Sequence, residues 1–171
     1  MKYGATQTRA CGYIRCDVVS YARLIVLIRR ACVRAYQMGL GKTIQCIALL
    51  GQLQATGDQK PHLIVAPVSL LANWKRELGL WLPEAHVETY HGSQKEREEM
   101  RERLKAQRPR RMIMIAAYGT WQSQSADAKK ERKWLNRFNW GYVVLDEGHC
   151  IKNAKSARHQ RLSQVPSQNR L

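Results

Sequence analysis

Acidic side chains are scarce in this chain. Only 13 Asp and Glu stand against 29 Lys and Arg among 171 residues, for a formal charge of +16. The shortage leaves the cations largely uncompensated and favours an anionic polymer as partner, with a merely solvated basic surface as the plain alternative. Long apolar runs are also missing. Leu24–Ile28 is closed at once by Arg29 and Arg30, too short for a cleavable signal or a membrane span. The five cysteines, Cys11, Cys16, Cys32, Cys46 and Cys150, form no CxxC pair and have no histidine at zinc spacing, so reduced thiols of a nuclear or cytosolic protein are expected. No internal repeat or low-complexity tract occurs, which excludes solenoids and arrays.

What is present is an alternation of two periodicities. The length suits one domain with a sizeable core. Residues 1–37 scatter arginines among cysteines and small residues without a sustained period, leaving only a short strand or helix around Tyr21–Ile28. From Met38 the pattern is regular. Helical spacing of Ile44, Ile47, Ala48 and Leu50 follows a glycine turn and predicts a helix over Thr43–Leu53. Leu63–Ala66 is a doubly buried strand stopped by Pro67, and Met112–Tyr118 is another. Between them Ser69 can cap a helix Leu70–Trp81 with Trp74 and Trp81 as core anchors, and a short strand Val87–Tyr90 precedes a highly charged helix Ser93–Gln107. That charged helix reads as a solvated face. A basic helix Lys130–Phe138, a strand Tyr142–Leu145 and a helix Asn153–Leu162 complete the pattern. Such alternation predicts an α/β fold in three layers around a mostly parallel sheet.

Two motifs carry chemistry. In MGLGKT, Met38, Gly39, Leu40, Gly41, Lys42 and Thr43 make a loop whose glycines let backbone N–H groups face a phosphate. Lys42 brings fixed charge to the β- and γ-phosphates of a nucleoside triphosphate, and the Thr43 hydroxyl is a ligand for Mg²⁺. Tyr36 occupies the first-glycine position of the full pattern, so the motif alone could be a glycine turn before a helix. In VVLDEGH, Asp146 at a strand end can hold Mg²⁺ and Glu147 can orient an attacking water, while a helix N-cap pair is the plain reading of the same two acids. His149 reads as a coupling residue. Its neighbour Cys150 suggests a thiol–imidazole pair, but adjacent side chains of an extended chain point to opposite faces.

The segments MGLGKTIQCIALL, PHLIVAPVSLLANWKREL, YHGSQKER and YVVLDEGHCIKNAKSARHQRL together resemble, in order and spacing, the first RecA-like lobe of the Swi/Snf-type chromatin-remodelling ATPases. The DEGH variant followed by IKN looks most like the DEAD/H-box-containing subgroup of heterochromatin maintenance and DNA-end resection. The resemblance covers about residues 38–171. It implies a P-loop ATPase with ATP and Mg²⁺, Lys42 and Glu147 in catalysis, double-stranded DNA and nucleosomes as partners of the full-length protein, no membrane association, and nuclear action. Pro67-Val68-Ser69, with Asn73 in the helix behind, resembles the family's DNA-tracking segment, and Tyr118 stands where the family reaches the DNA backbone; Ser69, Asn73 and Tyr118 are thus the DNA-binding candidates. Departures are Tyr36-Gln37 in place of Asp-Glu, Arg34 in place of an apolar strand residue, and Ala116-Ala117 in place of threonines. Beyond Leu171 the family continues into a coupling motif and a second lobe with arginine fingers, so little hydrolysis is expected of this stretch alone. The alternative is a basic, non-catalytic DNA- or protein-binding module with a degenerate nucleotide site.

Overall fold

The computed structural model describes residues 41–107 and 110–171, so Met38, Gly39, Leu40 and everything expected of residues 1–37 lie outside the described residues. The elements run α1 (Gly41–Ala55), β1 (His62–Ala66), α2 (Val68–Trp81), β2 (His86–Tyr90), α3 (Gln94–Gln107), β3 (Met112–Ala117), α4 (Gly119–Gln122), α5 (Ala126–Leu135), β4 (Trp140–Leu145), a 3₁₀ turn (Gly148–Ile151), α6 (Ala157–Ser163) and β5 (Ser167–Arg170). All strand pairs are parallel, in the order β2-β3-β1-β4-β5. The expected α/β fold with a parallel sheet is therefore present.

Unbroken apolar runs place β1 and β3 at the centre, where every residue of both is buried. Alternate side chains go to opposite faces. Ile64, Ile113 and Ile115 pack under α1 and α2 with Ile47, Leu50, Leu71 and Leu78. On the other face Leu63, Val65, Met112 and Met114 meet Leu104 of α3, Trp134 and Leu135 of α5, and Leu162 of α6. The distribution of helices follows from connection handedness. The chain leaves β1 past β3 to reach β2, and then moves in the opposite direction through β3, β4 and β5. Right-handed crossovers consequently put α2 on one face and α3, α5 and α6 on the other. The same reversal opens a crevice at the carboxyl ends of β1 and β4.

Several boundaries differ from the sequence expectation. α2 starts at Val68 behind Pro67, with no side-chain cap, so Ser69 is an exposed first-turn residue and does not cap the helix. α5 begins earlier than expected, at Ala126, because the Ser125 hydroxyl accepts from the Ala128 N–H at 3.1 Å. α6 begins later, at Ala157, where Ser156 caps the His159 N–H at 3.2 Å. β5 is polar and mostly exposed, without the apolar run that marks β1, β3 and β4. The charged helix α3 is also more than a solvated face. Its Arg103 forks onto Glu88 at 2.9 and 2.8 Å, Arg101 donates to the Tyr90 hydroxyl at 2.8 Å, and Arg97 reaches Glu131 of α5 at 2.9 Å. Glu131 is only 3% exposed, and Arg101 lies 3.6 Å from it as a second cation. Pairing of this kind is what makes a buried carboxylate tolerable.

His62 at the start of β1 is fully buried. Its Nδ1 accepts the Tyr142 N–H at 3.2 Å, and its Nε2 has no partner among the described residues. Burial lowers its pKa, with the Asp58 carboxylate pulling weakly the other way. Because the folded-state pKa is depressed, the unfolded chain binds the proton more readily. Stability is thus complete above the unfolded value of about 6.5 and falls as pH drops through the window beneath it. Urea unfolding at pH 7.5 and 5.5 should show this loss in the wild type, and His62→Gln should reduce the difference between the two pH values.

Candidate functional site

At the carboxyl edge of the sheet, a cleft of about 670 Å³ lies between the first turns of α1 and the end of β4. Lys42 and Thr43 line it from the helix, and Asp146, Glu147 and His149 line it from the strand end. The two motifs, separated by about a hundred residues of sequence, thus face one another across a single cavity. α1 points its N-terminus at this edge, where unpaired N–H groups and the helix dipole favour an anion. Lys42 is exposed and Thr43 half-buried.

Asp146 is held from four directions. Its N–H donates to the Val65 carbonyl at 2.9 Å, which extends the β1–β4 ladder by one bond. Its carbonyl accepts the Tyr118 hydroxyl at 2.7 Å. Its Oδ2 accepts the Trp74 indole N–H at 2.7 Å, and its Oδ1 accepts the Glu147 N–H at 2.9 Å. The carboxylate is thereby fixed in rotation while keeping lone pairs free for a cation. Trp74 is a core anchor, as its stripe position suggests, and also the donor that orients the acid. Nothing in the spacing of Trp74 and Asp146, 72 residues apart, signals that bond.

Glu147 sits in the left-handed region, φ 53° and ψ 55°. Such backbone costs about 1–2 kcal/mol for a residue with a β-carbon and is typical of functional turns. It ends β4 abruptly and starts the 3₁₀ turn, closed by the Cys150 N–H to the Glu147 carbonyl at 2.8 Å. This turn changes the reading of His149 and Cys150. The chain is not extended there, so their side chains do not diverge: Cys150 Sγ lies 3.6 Å from His149 Nε2, and His149 Nδ1 lies 3.0 Å from Glu147 Oε2.

The three residues expected at DNA divide between two settings. Ser69 is exposed and Asn73 half-exposed on α2, where Asn73 Oδ1 accepts from Arg76 at 2.6 Å. Tyr118 is buried at the end of β3, its hydroxyl committed to Asp146 and its ring 5.4 Å beneath the Arg158 guanidinium. Burial raises the Tyr118 pKa, and the nearby Cys150 and Asp146 add to the effect. In the cleft wall, burial and Asp146 likewise raise the Cys46 thiol.

Residues 21–171 match the SNF2-related domain. The chain belongs to that family. Among relatives, the human SWI/SNF-related matrix-associated actin-dependent regulator of chromatin subfamily A containing DEAD/H box 1 is 41% identical over 137 residues, 80% of this chain and 13% of the relative. The Schizosaccharomyces pombe ATP-dependent helicase fft3 is 35% identical over 153 residues, 90% of this chain and 16% of its own length. Among solved structures, the Sulfolobus solfataricus SWI2/SNF2 ATPase core in complex with dsDNA is 26% identical with a TM-score of 0.62, covering 78% of this chain and 25% of that one. The chain therefore spans a small part of the proteins it matches, and the family fold, a RecA-like α/β lobe, is the fold observed. The cleft is built around a tryptophan-anchored Asp146. Trp74→Phe, which keeps the ring and removes the donor, should lower stability in urea by about 1–2 kcal/mol, since a charged acceptor loses its partner while packing survives.

Proposed function

We propose that this chain is the ATP-binding lobe of an ATP-dependent DNA translocase that moves duplex DNA on nucleosomes. The observation that carries the reading is the convergence of Lys42 and Thr43 with Asp146 and Glu147 on one cleft. The names of the relatives, a regulator of chromatin and an ATP-dependent helicase, support the substrate class, as does the dsDNA complex of the Sulfolobus core. The names of the same relatives support nuclear action.

The donor set fits a magnesium nucleotide. Among the described residues no group of three or more His, Cys, Asp or Glu is placed to cage a metal ion. One carboxylate and one hydroxyl, Asp146 and Thr43, suit a hard cation that takes its remaining ligands from phosphates and water. Mg²⁺ bound there would neutralise charge on the transferring phosphoryl group. Lys42 places its ammonium toward the β- and γ-phosphates, with the N-terminal N–H groups of α1 beneath. Glu147 orients the attacking water and accepts its proton, and His149, in contact with Glu147, fixes the direction of that carboxylate. Met38, Gly39, Leu40 and Gly41 complete the phosphate loop in this reading. Phosphoryl transfer also needs charge stabilisation from the opposing side of the nucleotide, where an arginine finger contributes about 10³–10⁵ in rate.

Duplex DNA would follow the face of α2 that carries Ser69 and Asn73, while Tyr118 supports Asp146 through its hydroxyl. Calorimetric titration with Mg-ATP tests the nucleotide half of the proposal. The wild type should bind, and Lys42→Ala should weaken binding at least about tenfold, the loss of a charge-assisted phosphate contact. Equal and negligible affinity in both proteins would remove the reading in favour of a non-catalytic basic module.

A further inference from the structure

Glu147 and His149 line the cleft, and with Cys150, which follows them on the 3₁₀ turn, they form a relay that nucleotide chemistry does not use in full. Carboxylate Oε2 lies 3.0 Å from imidazole Nδ1, and imidazole Nε2 lies 3.6 Å from the thiol sulfur. With Nδ1–H donating to Glu147, Nε2 carries the lone pair and faces the S–H, the order of parts found in activated nucleophiles. The imidazole is mostly open to solvent, its side chain 64% exposed, and the thiol is half-buried against the α3–α5–α6 core. We infer that Cys150 is a peroxide-reactive thiol whose proton is drawn off by His149, and that its oxidation is felt at Glu147.

The sulfur attacks one oxygen of a hydroperoxide, the S–O bond forms as the O–O bond breaks, and sulfur is oxidised while the peroxide is reduced. The thiol proton passes to Nε2 and then to the departing hydroxide or alkoxide, which leaves as water or alcohol. The product is a sulfenic acid, which a second thiol can reduce again. Its new oxygen stands against Nε2 of the imidazole whose Nδ1 contacts Glu147, so oxidation replaces the partner on one side of the ring that holds the carboxylate on the other. Cys46 provides an internal contrast. It lines the cleft itself with no imidazole at its sulfur among the described residues, and burial and Asp146 push its thiol pKa up.

The inference does not depend on nucleotide binding, so its test is separate. The reduced full chain is exposed to hydrogen peroxide at pH 7 with a 1,3-dione that captures sulfenic acid, and the Cys150 and Cys46 peptides are followed by mass. Cys150 should be captured first, and His149→Gln should slow its capture at least about tenfold, the size of effect expected on losing a general base. His149→Asn should do the same, and unchanged thermal unfolding of either variant excludes a folding defect. Capture of Cys46 ahead of Cys150, or a Cys150 rate within about twofold of wild type in both variants, would overturn the assignment.

Discussion

Asp146 is the point on which the structure turns. Through its backbone it joins β4 to β1 and receives the side chain that ends β3, and through its carboxylate it receives the indole of α2. Elements that lie side by side at this edge are thereby tied to one residue. The arrangement requires a parallel sheet, because only there do the carboxyl ends of β1, β3 and β4 lie side by side. It also requires a small angular freedom for the acid. A carboxylate with one oxygen on an indole and the other on a backbone amide can present only its remaining lone pairs to the cleft.

The strain at Glu147 belongs to the same design. β4 cannot continue past Asp146 without carrying the second acid away from the cleft, and a left-handed residue turns the chain back within one step. The 3₁₀ turn that follows brings His149 under Glu147 and Cys150 beside His149. One unfavourable backbone conformation thus positions three side chains, and the Cys150 N–H to Glu147 carbonyl bond offsets part of its cost.

Legibility in the sequence followed the length scale of the interaction. β1 and β3 were readable because central parallel strands are apolar on both faces, and the place of the acid pair at a strand end was readable because the apolar run before it is contiguous. Capping shifted the helix ends by several residues, since Ser125 and Ser156 act locally and look like ordinary loop serines. β5 was invisible because an edge strand can be polar. The bonds of Trp74 and Tyr118 to Asp146 were invisible for a different reason: they span 72 and 28 residues and depend on strand order, which spacing does not encode. The divergence expected of His149 and Cys150 failed because it assumed extended backbone where a left-handed residue had already ended the strand.

The charge excess has a structural component that composition conceals. Arg132 and Arg161 both spend their Nη1 groups on the carbonyls that close α4, at 2.8–3.0 Å, and Arg170 does the same for the end of α6 at Leu162, Ser163 and Val165. These are the orphan acceptors of two helix C-termini, where a cation is electrostatically favoured. A neutral carbonyl satisfies a guanidinium's hydrogen bonds without cancelling its charge. Arg132 carries the consequence: burial lowers its pKa, and the neighbouring Arg161 adds to that. By contrast, much of the acid on α3, α5 and β2 is consumed in pairs, with Glu131 and Glu88 facing inward onto Arg97 and Arg103. Cations used as caps and anions used up in pairs leave a field that is more positive outside than a count of ion pairs suggests. A basic surface of this origin is therefore compatible with the fold, because the guanidinium groups of Arg132, Arg161 and Arg170 that turn inward all meet carbonyl acceptors while keeping their charge.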